Sequence, residues 1–225
     1  MSVLKRYSGG LFYELYAKSV LEVLFSEEYG NLILSDKPDL VDDNLCFGIE
    51  VTHPVDEEHE KYDSYFQDKL YNKAKEELPK KGLLRFMDSK REIIFDKETN
   101  RVDAYKKPYV PFDIDLIYTA IRKKFSKLNS GLYKYPNNIS LYLNMSIYSK
   151  ENISDSTVNG ILDYAINLKN SSEYSFKEIY YDCLMVLYRI NLDTRKVEEY
   201  DLLDLLDTIE TNYNANLEKI NQTKK

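Results

Sequence analysis

Two carboxylates stand out by type and spacing in the stretch KPDLVDDNLCFGIEVTHP, residues 37–54. Asp39 follows Pro38, and Glu50 comes eleven residues later. Side chains alternate along a strand, so Cys46, Gly48, Glu50 and Thr52 share one face of the segment 45–52, and Phe47, Ile49 and Val51 share the other. A turn centred on Asp43-Asn44 brings Asp39 opposite Glu50, with Gly48 leaving space beside them. Converging carboxylates suit Mg²⁺ or Mn²⁺, hard ions that take oxygen ligands and keep waters for a substrate phosphate. Such an ion acidifies a bound water and offsets charge on a phosphodiester. The same acids also fit a strand with a polar outer face beside an acidic turn, and spacing alone leaves both readings open. Asp42 and Asp43 read as turn residues, with one of them available to a metal shell. His53 and His59 are the chain's two histidines; either has the chemistry of a general base or third ligand, although His53 falls on the face opposite Thr52 unless the strand ends at Pro54.

The elements that must position these residues follow from periodicity. Residues 10–25 read as a helix with Leu11, Leu15, Tyr16 and Val23 on an apolar side. Residues 32–34 and 38–41 form a Pro-interrupted extended region, and 45–52 the next strand. A long polar helix is expected over 56–78, ended by Pro79 and Gly82. Residues 91–96 read as a strand and 105–112 as a loop. A helix over 113–128, capped by Asp113 or Asp115, precedes a strand over 139–148 in which Leu141, Leu143, Met145 and Ile147 alternate. A helix over 155–168 and a buried strand over 180–191 follow. The helix 201–220 carries Leu202, Leu206, Ile209, Tyr213 and Leu217 as one stripe, which suits its own core or a partner chain. This order predicts a single α/β domain over 1–225 with a mixed sheet flanked by helices: a core of about 8–195 and a C-terminal helical extension of about 200–220.

Composition narrows the chemistry. The 225 residues are 43% hydrophobic and 31% charged, as in a globular chain able to bury a core. No apolar run is long enough for a membrane span and no signal core opens the chain, so a cytoplasmic protein is expected. Cys46 and Cys183 sit in apolar runs and read as buried free thiols. Two histidines and seven glycines, without GxGxxG or GxxxxGK[ST], argue against Cys/His zinc sites and phosphate-cradling loops. A net charge of −7 argues against coating nucleic acid, yet Lys69–Arg91 holds eight basic residues against three acidic, and Lys106–Lys127 six against two. Those stretches are either local basic faces or ordinary solvated helix faces. The 21 tyrosines read as core and rim rather than as base-stacking platforms.

Pro38-Asp39 followed by Glu50-Val51-Thr52 resembles the PD-(D/E)XK nuclease superfamily, the restriction-endonuclease-like fold. The helix ahead of the hairpin carries Glu14, with Glu22 as its substitute if the helix is rotated. A helix follows the second acid. On it Gln67-Asp68-Lys69-Leu70-Tyr71 looks like the QxxxY motif of the RecB-like exonuclease branch, Gln67 and Tyr71 lying on one helical face. By motif the resemblance covers roughly residues 8–95. It implies Mg²⁺ or Mn²⁺ held by Asp39, Glu50 and Glu14, with Gln67, Tyr71 and Lys73 facing a DNA substrate. The departure is Thr52, which stands where the family has lysine and offers a hydroxyl without positive charge. Lys69 or Lys73 on the following helix, a second ion, or Gln67 would have to take over that role, or catalysis is lost.

Two functions therefore stand beside each other. One is a metal-dependent nuclease hydrolysing phosphodiester bonds in DNA. The other is a catalytically inactive nuclease-fold module acting in protein binding or assembly, with a homodimer or a protein partner on the C-terminal helix. An unrelated α/β domain with ordinary surface acids is the third.

Overall fold

The computed structural model describes residues 10–54, 61–62, 64–88, 91–106, 112–145 and 154–223. The chain divides into two compact units, one of residues 1–54 with 113–225 and one of residues 55–112. Where the sequence suggests one domain, a main unit is thus interrupted in sequence by a smaller one.

In the main unit, helix α1 (Gly10–Leu24) buries Leu15, Tyr16, Ala17, Val20 and Leu21, and Ser19 donates back to Leu15 O at 2.8 Å. A short helix α2 (Ser26–Tyr29) leads into β1 (Ile33–Leu34), β2 (Leu40–Asp42) and β3 (Phe47–Thr52). These three strands pair antiparallel, with Leu40 opposite Ile49 and Asp42 opposite Phe47.

The inserted unit departs from the long helix expected over 56–78. Residues 61–62 and 64–65 are helical, but the chain then winds more loosely through Phe66–Leu70 and turns at Tyr71-Asn72. Pro79 does not end a helix; it precedes a new one, α3 (Lys80–Asp88), whose first positions need no intrahelical donor. Strand β4 (Glu92–Phe95) falls where expected, but it pairs with β5 (Val102–Lys106), a strand the sequence reading leaves out. The unit has its own small core of Phe66, Leu70, Leu78, Phe86 and Val102.

The main unit resumes with α4 (Ile114–Leu128), where Asp113 accepts from Asp115 N at 2.9 Å as the N-cap. Strand β6 (Ile139–Asn144) runs parallel to β3, with Glu50 beside Leu141 and Val51 beside Tyr142. After α5 (Asp155–Asn170), the single strand expected over 180–191 is instead a hairpin of β7 (Glu178–Asp182) and β8 (Val186–Asn191). Leu184, at φ 67°, makes the turn, which apolar composition hides. Strand β9 (Val197–Asp201) completes, among the described residues, a seven-stranded mixed sheet of order β1-β2-β3-β6-β7-β8-β9.

One face of that sheet presents Leu40, Ile49, Val51, Tyr142, Tyr180 and Leu187 to α1. The final helix α6 (Leu206–Thr223) packs there too, through Ile209, Tyr213 and Leu217, so its stripe is spent on the chain's own core. A tight turn at Leu203–Leu205 shifts the phase, and Leu205 rather than Leu206 joins the cluster. Asn212 and Asn216 of α6 donate to Glu22 Oε2 at 3.1 and 2.9 Å, and Lys18 pairs with the same glutamate. Glu22 therefore fastens α6 to α1. Helix α4 covers the opposite face with Ile117, Ile121, Phe125 and Leu128 buried. No helix among the described residues is long and apolar enough to cross a membrane.

Candidate acid site

The notch beside the acids is filled by proline. A Cβ built on Gly48 would meet Pro38 Cγ at 2.2 Å, so the ring of Pro38 sits against the bare backbone of β3. This packing holds the chain entering β2 against β3, and Asp39, one residue before the Leu40–Ile49 pair, comes to lie beside Glu50. Asp39 Oδ2 accepts from Val51 N at 2.7 Å. Glu50, wholly buried, accepts from two ammonium groups of α4 at Oε1: Lys124 at 2.5 Å and Lys127 at 2.9 Å. Lys124 also donates to Val51 O at 3.2 Å. Glu50 Oε2 is buried with its hydrogen-bonding capacity unfilled.

Electrostatics bind the acids into one group. Burial first, then the Glu50 charge, pushes Asp39 up to about 7, against the opposing pull of Val51 N and Lys124. Burial and Glu50 likewise raise Glu14, while Lys124 pulls it down. Lys124 and Lys127 escape sequence reading because lysines three apart on a helix look like a solvated face. Two signals are available: both lysines belong to the basic stretch Lys106–Lys127, and α4 immediately precedes the strand that pairs with the Glu50 strand.

The other expected site residues are placed as follows. Thr52 lies at the end of β3, on the Glu50 face by alternation and half-buried. His53 stacks on Tyr13, ring centroids 4.2 Å apart, and its Nδ1 lies 2.7 Å from Asn144 O, so it ties α1 to β6. Asp42 caps its turn by accepting from Asn44 N at 2.9 Å and Leu45 N at 3.2 Å. Asp43 is exposed and pairs with Lys134. Cys183 is buried as expected, but Cys46 is exposed, because it sits at φ 50° in the turn and not within β3. His59 and the side chain of Gln67 lie outside the described residues. Lys69, Tyr71 and Lys73 belong to the inserted unit. Gln67 and Tyr71 do not share a regular helical face: Tyr71 N bonds Phe66 O at 2.8 Å, and Tyr71 itself is extended at φ −54°, ψ 137°.

Among the described residues, no group of three or more His, Cys, Asp or Glu side chains is placed to hold one metal ion. Glu14, Asp39 and Glu50 thus form no three-ligand cage. Mg²⁺ asks for less: it is commonly held by one or two carboxylates, with waters and substrate phosphate completing its shell. The unfilled Glu50 Oε2 and the mutual repulsion of Asp39 and Glu50 fit such an ion. Compared with known proteins, the chain matches no family model, no curated protein and no solved structure.

Proposed function

We propose that the chain is a metal-dependent nuclease that hydrolyses phosphodiester bonds in DNA at a PD-(D/E)XK-like carboxylate site. The observation that carries this reading is the meeting of Lys124 and Lys127 with Glu50, beside Asp39. It supplies, from another element, the positive charge that Thr52 lacks. The helix carrying Glu14 ahead of the hairpin agrees with the resemblance. Asp39 and Glu50 would hold Mg²⁺ or Mn²⁺, which when bound contributes an acidified water and neutralises phosphate charge. The chain's own groups do the rest. Val51 N fixes one oxygen of Asp39 and leaves the other free to face a ligand. Lys124, bonded to both Glu50 and Val51 O, holds β3 against α4. Lys127, the more exposed of the two lysines, brings a cation to the phosphate as negative charge grows on its oxygens. Burial of Glu50 keeps competing water from these charges.

One observation favours a second reading. Glu50 Oε1 is already bound by two ammonium groups, as in a closed structural ion cluster, which suits a catalytically inactive module used in protein binding or assembly. Incubation of single- and double-stranded DNA with Mg²⁺ or Mn²⁺, beside EDTA, Asp39→Asn and Glu50→Ala controls, separates the two. Cleavage that needs the metal and both acids supports the nuclease. No cleavage, with no Mn²⁺ bound by calorimetry, sinks it in favour of the module.

A further inference from the structure

Tyr133 lies on the connection 129–138 between α4 and β6, and that connection is fastened to the hairpin bearing both acids. Lys134 Nζ and Tyr135 Oη donate to Asp43 Oδ1 at 2.8 and 3.1 Å. Asn138 Nδ2 donates to Leu45 O at 3.3 Å and Cys46 O at 3.1 Å, and Lys134 N donates to Lys37 O at 3.2 Å. Tyr135 is held at φ 60°, a left-handed conformation rare outside glycine. A segment pinned this thoroughly, with a backbone this unfavourable, places its side chains to within narrow limits.

The side chain so placed is Tyr133, 6% exposed. Its buried hydroxyl closes no hydrogen bond of ordinary distance and angle, and neither does Glu50 Oε2. Lys127 brings the two groups together, since its ammonium bonds Glu50 Oε1 at 2.9 Å and lies against the Tyr133 ring; after burial, the Glu50 carboxylate is the largest cause pushing the phenol above its ordinary range, and Asp39 adds to it. The face of the same ring receives the Lys127 ammonium 5.2 Å from its centroid. A buried donor and a buried acceptor left unfilled beside each other are costly in a purely structural cluster.

Building on the nuclease reading, we propose that Tyr133 is a positioning residue of the acid site: its hydroxyl orients the free oxygen of Glu50 and its ring holds the Lys127 ammonium. One side chain thereby sets both the acid and the cation that face the substrate phosphate. It touches neither the phosphate nor the attacking water.

The test uses the full chain labelled with ¹³Cζ-tyrosine, the Tyr133 resonance being the one missing from Tyr133→Phe. Glu50→Gln is expected to move that resonance without any metal present. Lys127→Met, which leaves Glu50 its Lys124 partner, is expected to move it as well and serves if Glu50→Gln does not fold. In the Mg²⁺-dependent cleavage assay, Tyr133→Phe is expected to lower kcat about ten-fold with KM unchanged, as for partners that orient a ligand from outside. Tyr133→Leu, lacking the ring too, is expected to lower it further. A resonance indifferent to both substitutions overturns the proposal whatever the assay gives. So does an unchanged kcat in Tyr133→Phe. A responsive resonance in a protein that cleaves nothing overturns the nuclease reading, and the catalytic purpose of the contact with it, while the contact itself stands.

Discussion

Two buried acid clusters on the same sheet differ in how completely they are closed. At the end of β7, Asp182 is wholly buried and accepts from Tyr142 Oη at 2.5 Å and from Leu184 N at 2.7 Å. Burial raises it to about 6, and both donors work against that rise. Across β6, Asp39 and Glu50 share one site, so like-charge repulsion is added to burial and Asp39 reaches about 7. Two lysines crowd one oxygen of Glu50, and the other oxygen is left unfilled. The first cluster spends both carboxylate oxygens on the protein and stitches β6 to β7. The second keeps capacity back. Burial is common to both clusters; unfilled capacity beside a like charge sets the second apart.

The sharpest way to break this contrast is to remove both cations. Lys124→Met with Lys127→Met leaves Glu50 buried and uncompensated; stability is expected to fall by about 3–5 kcal/mol in urea denaturation. Cleavage by the folded fraction is expected to drop about 10²–10³-fold. Gly48→Ala attacks the framework of the same site. The new methyl would press on the ring of Pro38, which cannot swing aside as a long side chain can, and a loss of about 1–3 kcal/mol with weakened Mn²⁺ binding is expected. Tyr142→Phe is the control from the closed cluster. It deprives Asp182 of one donor and is expected to cost about 1–3 kcal/mol of stability, with cleavage per folded molecule and Mn²⁺ affinity unchanged. A fall in Mn²⁺ affinity there would erase the distinction drawn between the clusters.

The smallest effect is read from pH. Both aspartates titrate above the ordinary 3.8 in the folded protein, so the folded state holds protons that the unfolded chain has released. Their contribution to stability is greatest below about pH 4 and falls as pH rises, through about 6 for Asp182 and about 7 for Asp39. Asp39→Asn is expected to flatten the decline between pH 6 and 7 and to lessen, without removing, the part between about 4 and 6 to which Asp182 still contributes, measured by thermal denaturation across that range.

Local signals made much of the main unit legible. The 3.6-residue pattern of 10–25 and the cap at Asp113 gave α1 and α4 nearly to the residue. Asp42-Asp43-Asn44 announced the hairpin, and its register made Asp39 and Glu50 neighbours. Residues 180–191 read as one buried strand because an uninterrupted apolar run does not say where it folds back; the turn uses a leucine at positive φ with no glycine or proline to mark it. The QxxxY resemblance failed as a helical face because motif spacing assumes regular winding, and Phe66–Leu70 winds otherwise.

The sequence by itself determined a mixed α/β chain with two acids paired across a short hairpin, since strand alternation and turn chemistry are local properties. The tertiary structure decided what surrounds those acids. Pro38 found its place in the gap of Gly48, and Lys124 and Lys127 crossed more than seventy residues of chain to reach Glu50. Tyr133 reached the same cluster, its ring against the Lys127 ammonium, through bonds between two distant turns. Such contacts depend on which helix covers which face of the sheet. Packing decides that, and residue spacing carries no record of it.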